Sequence, residues 1–222
     1  LSLAAGRIPC VLEAIRRLKA RRDGVPVIGN LTGPVSLAGM LVDMEVLLKA
    51  MRKEPETVHA LMTFVTGQLI VYGRALLAAG ADAVCISDPS GTGEVVGPRF
   101  FRSFTVPYLN RVLDALDVPV KMVHICGRLQ SVYSQLPDIH CDVFSFDAVV
   151  PVGEVRAVLP DRALMGNVST LAMNTMTPER VRTLVRHARK SGVDIVAPAC
   201  GLPTETPLAV LRAMVDAAKE EL

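Results

Sequence analysis

Short runs rich in Val and Ile that end in Asn, Asp or Cys alternate along the chain with longer stretches whose apolar residues recur every three or four positions. The first pattern is that of buried strands, and the second is that of amphipathic helices. Strands are expected at 25–30, 83–88, 118–126, 142–147, 163–167 and 193–200. Helices are expected at 34–52, 55–79, 97–116, 127–136, 151–159, 178–190 and 206–221, after an amphipathic opening helix that holds Cys10. Pro55, Pro98, Pro178 and Pro207 fall near first-turn positions, where a missing N–H costs nothing, and Gly80 and Gly192 mark helix ends.

Several of the strands are apolar on both faces, as in AVCI and VDIVA, which suits a parallel sheet covered by helices. Six βα units fit either a doubly wound sheet or most of an eight-stranded barrel. The polar residues favour the barrel. Asn30, Asp88, Cys126, Asp147, Asn167 and Cys200 all end strands, and in a barrel those ends converge on one mouth, where catalytic groups sit. The expected architecture is therefore α/β, of the (β/α)8 TIM-barrel type, as one domain over residues 1–222 that holds six of the eight strands. Two missing strands leave two unpaired edges, so the chain is expected to be a piece of a longer one or to close by association as a homo-oligomer.

Composition narrows the function classes. With 222 residues, 50% of them apolar and 21% charged, the chain can bury enough surface to offset its ordering entropy. Its 24 basic and 22 acidic residues are spread along the chain and only 4% of residues are aromatic, which excludes a nucleic-acid partner on charge and stacking grounds. The cluster Arg16, Arg17, Lys19, Arg21 and Arg22 reads as a solvated helix face. The apolar run Leu69 to Ile86 is broken by Gly73, Arg74, Gly80 and Asp82, so no membrane span is expected and the protein should be cytoplasmic. Five cysteines form no disulfide framework and read as reduced thiols or metal ligands.

The metal reading rests on His124-Ile-Cys126, followed 74 positions later by Cys200. Residues two apart in a strand point to the same side, so His124 and Cys126 can offer nitrogen and sulfur to one ion. Cys200, at another strand end, completes a His/Cys/Cys set that suits zinc and argues against magnesium or calcium. Three protein ligands leave a position for substrate. Asp147 either closes the tetrahedron until a thiol displaces it, or caps a loop and orients His124. Asn30, Asp88 and Asn167 are candidates for ligand contact, with loop-building as their ordinary alternative.

The stretches GADAVCISDPSG, VPVKMVHICG, ALMGNVST and IVAPACGLPTETPLAVLRAM carry a resemblance. The chain resembles the uroporphyrinogen decarboxylase superfamily, notably its methylcobamide:coenzyme M methyltransferase branch. That resemblance implies a complete barrel whose first two βα units are absent before Leu1, and it implies that His124, Cys126 and Cys200 are zinc ligands. It also implies that a methyl group passes from a methyl-Co(III) corrinoid, carried on a separate protein docked at the barrel mouth, to a small thiol such as coenzyme M. Cobalamin-independent methionine synthase uses a similar order of His, Cys, acid and Cys, with Glu where this chain has the shorter Asp147. The rivals are a cofactor-free decarboxylase of the same fold and a noncatalytic corrinoid- or thiol-binding subunit.

The remaining thiols and imidazoles read as structural. His140 and Cys141 begin their strand and so belong to the opposite barrel end, while Cys10 and Cys85 read as small core residues. His59 and His187 read as surface or satisfied-core residues, and Met40 and Met44 are expected to pack against the sheet.

Overall fold

The structure, a computed structural model, describes residues 1–21 and 23–221. In chain order its elements are α1 (Ile8–Ala20), β1 (Ile28–Thr32), α2 (Pro34–Val42), α3 (Met44–Lys53), α4 (Pro55–Ala78), β2 (Ala83–Ser87) and α5 (Gly93–Phe100). A π-helical turn, Phe101–Thr105, leads into α6 (Val106–Ala115) and β3 (Lys121–Ile125), and a 3₁₀ segment, Gln130–Asp138, precedes β4 (Val143–Phe146). The chain continues through α7 (Val152–Val158), β5 (Ala163–Val168), α8 (Thr170–Thr175), α9 (Pro178–Lys190), β6 (Ile195–Pro198) and α10 (Leu208–Ala218). All six strands are parallel and lie in the order β1-β2-β3-β4-β5-β6. A doubly wound sheet reverses its strand order at a switch point, so this sequential order is that of a (β/α) barrel wall.

Strand parity divides the two faces by chemistry. Val84 and Ile86, Val123 and Ile125, and Phe144 and Phe146 are almost wholly buried and belong to the main apolar cluster, which also takes in residues of α4 and α6. Each such side chain contributes roughly 1.5–3 kcal/mol of burial free energy. The opposite parity carries Ala83, Met122 and Val143, which form a small buried cluster of their own. Two residues further along each strand come Cys85, His124 and Ser145. The barrel interior is thus apolar at one level and rich in heteroatoms at the next.

Several boundaries depart from the periodic pattern for local reasons. The stretch 34–52 splits into α2 and α3 at Asp43, which has φ 73° and whose carboxylate accepts from the N–H groups of Glu45 and Val46. That cap turns the chain and leaves Met40 76% exposed, so it does not pack on the sheet. Where a helix over 127–136 is expected, the chain forms a 3₁₀ segment, Gln130–Asp138, with Pro137 inside its last turn. Helix α5 begins at Gly93, ahead of the expected 97, and Gly97 breaks its helical geometry with φ 74°. Helix α8 follows β5 in a stretch for which no helix is expected.

Cys10 is exposed, not a core residue, because Leu12 and Ile15 occupy the buried side of α1. Helix α4 is long and apolar enough to cross a membrane by length and composition. Here it serves as a core helix, burying Val58, Met62, Val65, Leu69 and Leu76. In the basic cluster Arg16 and Arg17 pair with Glu13, Lys19 with Asp82 and Arg21 with Asp23, while Arg22 lies outside the described residues.

Candidate metal centre

His124 lies within β3, Cys126 follows its last residue Ile125, and Cys200 lies two residues beyond the end of β6 at Pro198. The Nε2 of His124 is 2.9 Å from the Cys126 Sγ, and that sulfur is 3.4 Å from the Cys200 Sγ. Among the described residues these three form the group able to hold a metal ion, with donor atoms all within 4.8 Å of one another. Two sulfurs and an imidazole nitrogen are a soft-to-borderline donor set, so the residues present fit zinc.

The far side of the imidazole is held as well. Strands β3 and β4 pair with His124 opposite Ser145, and the Nδ1 of His124 lies 3.0 Å from the Ser145 hydroxyl. Burial lowers the His124 pKa, against a smaller opposing effect of the Asp147 carboxylate. The ring is therefore neutral near pH 7, with a nitrogen lone pair free for a ligand. Burial, the adjacent Cys200 sulfur and Asp147 push the Cys126 thiol up to about 12. A cation among these donors reverses that balance by replacing the proton.

The sign of the pH dependence follows. The Cys126 proton must leave when a metal ion enters, and below about 12 that proton is in place. Zinc affinity should therefore rise by about tenfold per pH unit for this thiol alone, while neutral His124 adds nothing above its own pKa. Competition against a chelator of known affinity between pH 6 and 8 checks this, and an affinity flat with pH would contradict it.

A cavity of about 350 Å³ adjoins the three donors, lined further by Asn30, Cys85, Ser87, Pro89, Ser145 and Met165. A slightly larger depression of about 390 Å³ beside Lys19 and Asp82 contains none of these donors. Asn30 stands on the cavity wall, where its Oδ1 accepts from the Ser87 hydroxyl at 2.8 Å.

The other expected contact residues have different surroundings. Asp88 is fully buried, and its carboxylate accepts from the N–H groups of Val35 and Ser36 at 3.1 and 2.8 Å and from the Ser36 hydroxyl at 2.6 Å. It builds the loop between β1 and α2, and it does not line the cavity. Gly33 passes so close that a Cβ there would stand 2.2 Å from the Asp88 Cβ. Burial pushes the Asp88 carboxyl up, and the Ser36 hydroxyl and the N–H groups oppose that shift. Asn167 likewise turns to backbone, its Nδ2 donating to the carbonyls of Asp147 and Val150. The Asp147 oxygens accept from Gly127 N–H and Val149 N–H, both at 3.1 Å, so this carboxylate joins two loops of the mouth.

Cys85, expected in the core, packs against the Ala83, Met122 and Val143 cluster and also lines the cavity, and burial pushes its thiol up to about 11. Ser145 carried no signal of its own, because its role depends on which strand lies beside β3. Parity offered a hint: Ser145 is two residues before Asp147 and Ser87 two after Cys85. The remaining imidazoles are satisfied or exposed. His59 lies 2.9 Å from the Tyr108 hydroxyl, His140 contacts Asp114, and His187 is on the surface of α9.

A parallel barrel wall with a His/Cys/Cys mouth falls in a recognisable class. The chain belongs to the uroporphyrinogen decarboxylase family, whose profile matches residues 2–221. It is 35% identical over 218 residues to the methylated-thiol–coenzyme M methyltransferase of Methanosarcina mazei, covering 97% of this chain and 59% of that one. It is 31% identical over 223 residues to the methylcobamide:CoM methyltransferase MtaA of Methanosarcina barkeri, covering 99% of this chain and 65% of that one. A solved methyltransferase structure from Methanosarcina mazei matches with a TM-score of 0.92 at 29% identity, over 97% of this chain and 65% of that chain. The chain thus spans 59% and 65% of the length of these two curated relatives, and the shared fold is the partial barrel described above.

Proposed function

We propose that residues 1–222 form one domain of a zinc-dependent methyltransferase that moves a methyl group from a methyl-Co(III) corrinoid to a small thiol such as coenzyme M. The observation that carries this reading is the convergence of His124, Cys126 and Cys200 within 4.8 Å at the wall of an accessible cavity. The names of the relatives, which act on coenzyme M and on a methylcobamide, support the substrate classes.

His124, Cys126 and Cys200 would hold the zinc. When bound, zinc supplies Lewis acidity that keeps an incoming thiol deprotonated near neutral pH, where a free thiol of pKa about 8.5 is mostly protonated. Ser145 holds the His124 ring in place. Met165, Pro89 and Pro198 give the cavity apolar walls beside the three donors. Asp147, which the sequence offers as a fourth ligand, would in this reading hold the mouth loops, a role supported by the N–H groups of Gly127 and Val149 that its oxygens accept from.

The reaction balances simply. An S–C bond forms, the Co–C bond breaks with its electron pair left on cobalt as Co(I), and the thiol proton goes to solvent. The corrinoid would be presented at the barrel mouth by a separate carrier protein, as the family resemblance implies. Five free cysteines fit a cytoplasmic enzyme.

Full-length, zinc-loaded protein mixed with methylcobalamin and coenzyme M or another small thiol should produce the Co(I) absorption spectrum in a thiol-dependent manner. No demethylation with any small thiol would contradict the proposal. Stoichiometric zinc without turnover would favour a noncatalytic binding subunit, and carbon dioxide release from uroporphyrinogen by metal-free protein would favour the lyase.

A further inference from the structure

We propose that Ser145 is the positioning residue that fixes His124 with Nε2 toward the two sulfurs, a role that rests on the zinc reading above. An imidazole in the middle of a strand has two nitrogens and a ring that can turn about χ2. Which nitrogen faces a metal is decided by what holds the other. Here Nε2 is 2.9 Å from Cys126 Sγ and Nδ1 is 3.0 Å from Ser145 Oγ. Nε2 faces the sulfurs, so a metal ion held there leaves the ring proton on Nδ1, and the Ser145 hydroxyl, which can accept as well as donate, stands where it takes that N–H.

Ser145 is a buried polar residue in an otherwise apolar strand. It is 4% exposed in the strand sequence Val-Phe-Ser-Phe, whose other members are apolar and fully or nearly fully buried. The hydroxyl has one side-chain partner among the hydrogen bonds of the described residues, and that partner is His124. The pairing register sets it directly opposite His124 on the neighbouring strand, so rigid sheet hydrogen bonds fix the distance between them. Asp147, the carboxylate whose charge acts on His124 and Cys126, has both oxygens on loop N–H groups and is not hydrogen-bonded to the ring. The usual carboxylate partner of a metal-ligating histidine is thus replaced by a neutral hydroxyl, which orients the ring without adding negative charge to a site already holding two thiols.

Threonine and valine have nearly the same shape and differ by the hydroxyl, so the pair Ser145→Thr and Ser145→Val isolates the hydrogen bond from packing. Two readouts are taken on full-length protein. In the first, zinc affinity is measured by chelator competition: Ser145→Val should bind about 10–100-fold more weakly than wild type, and Ser145→Thr should recover most of that loss. In the second, the His124 tautomer is read in zinc-free protein by long-range 15N–1H correlation NMR. Wild type and Ser145→Thr should show Nδ1–H, and Ser145→Val should shift toward Nε2–H.

Equal zinc affinity in the Thr and Val variants, or an unchanged tautomer in Ser145→Val, would overturn the proposal. A wild-type protein that binds no zinc would sink the preceding functional reading instead, and the tautomer measurement would still decide the role of Ser145.

Discussion

Cys126→Ser and Cys200→Ser should each abolish stoichiometric zinc binding and lower thiol methylation by about a thousandfold or more. Serine keeps the shape of the side chain but replaces a soft sulfur with a hydroxyl that stays protonated at neutral pH, so one of three donors is lost from a set whose atoms all lie within 4.8 Å of one another. A bound metal ion stabilises developing charge in the transition state by several kcal/mol, and about 4 kcal/mol corresponds to a thousandfold in rate. The fold should be retained, because neither residue belongs to the apolar clusters that hold the sheet to its helices. Zinc content by metal analysis and turnover of methylcobalamin with coenzyme M check both parts. A variant that keeps a full equivalent of zinc, or loses less than tenfold in rate, would show that the sulfur in question is not a ligand.

The second large effect is on stability. Asp88→Ala should destabilise the protein by about 3 kcal/mol or more. The substitution strips the N–H groups of Val35 and Ser36 and the Ser36 hydroxyl of their acceptor inside a fully buried environment. Each orphaned buried donor costs about 1–3 kcal/mol, and the void left by the carboxylate adds to it. The damage should spread to the mouth, because the Ser36 hydroxyl also accepts from Ser90 N–H at 3.0 Å, which ties the loop after β2 to the start of α2. Denaturant unfolding of wild type, Asp88→Ala and Asp88→Asn checks this. The amide keeps the volume and one acceptor oxygen, so Asp88→Asn should fall between the other two. A midpoint for Asp88→Ala within error of wild type would mean that the loop finds other acceptors.

These two cases differ in how much the sequence alone revealed. The His124-Ile-Cys126 spacing carries its geometry with it, because strand parity needs no knowledge of the rest of the fold. Cys200 was legible from its place at the end of an apolar run. Asp88 was visible as a polar strand end, but whether such a residue faces a ligand or a loop depends on the neighbouring strand. Here β1 delivers Gly33 so close to Asp88 that the carboxylate is enclosed by backbone. Asn167 takes the loop-building alternative for the same reason, since its amide meets the carbonyls of Asp147 and Val150 from the adjacent βα loop.

The strands were read correctly where apolar residues filled both faces, as at Ala83–Ser87 and Ala163–Val168. They came out shorter or shifted where a proline lay near the start, as with Pro26 ahead of β1 and Pro119 ahead of β3. Helix boundaries suffered most where a single residue overrides periodicity. Asp43 with its positive φ and Gly97 before Pro98 each break an otherwise continuous pattern. The choice of a barrel over a doubly wound sheet was made from the convergence of polar strand ends, and the sequential strand order supports it. Ser145 lay beyond reach, because no local signal states that residue 145 will stand opposite residue 124.

The central claim is that His124, Cys126 and Cys200 hold a zinc ion that keeps a position for a substrate thiol. Zinc K-edge absorption spectroscopy on full-length, zinc-loaded protein tests it most directly, with spectra taken before and after coenzyme M is added. The account predicts two sulfur neighbours and one imidazole in the resting protein, and a third sulfur at about 2.3 Å once the thiol is present. A sulfur count that does not change on adding thiol, with all four ligands already supplied by the protein, would contradict it and mark the site as structural.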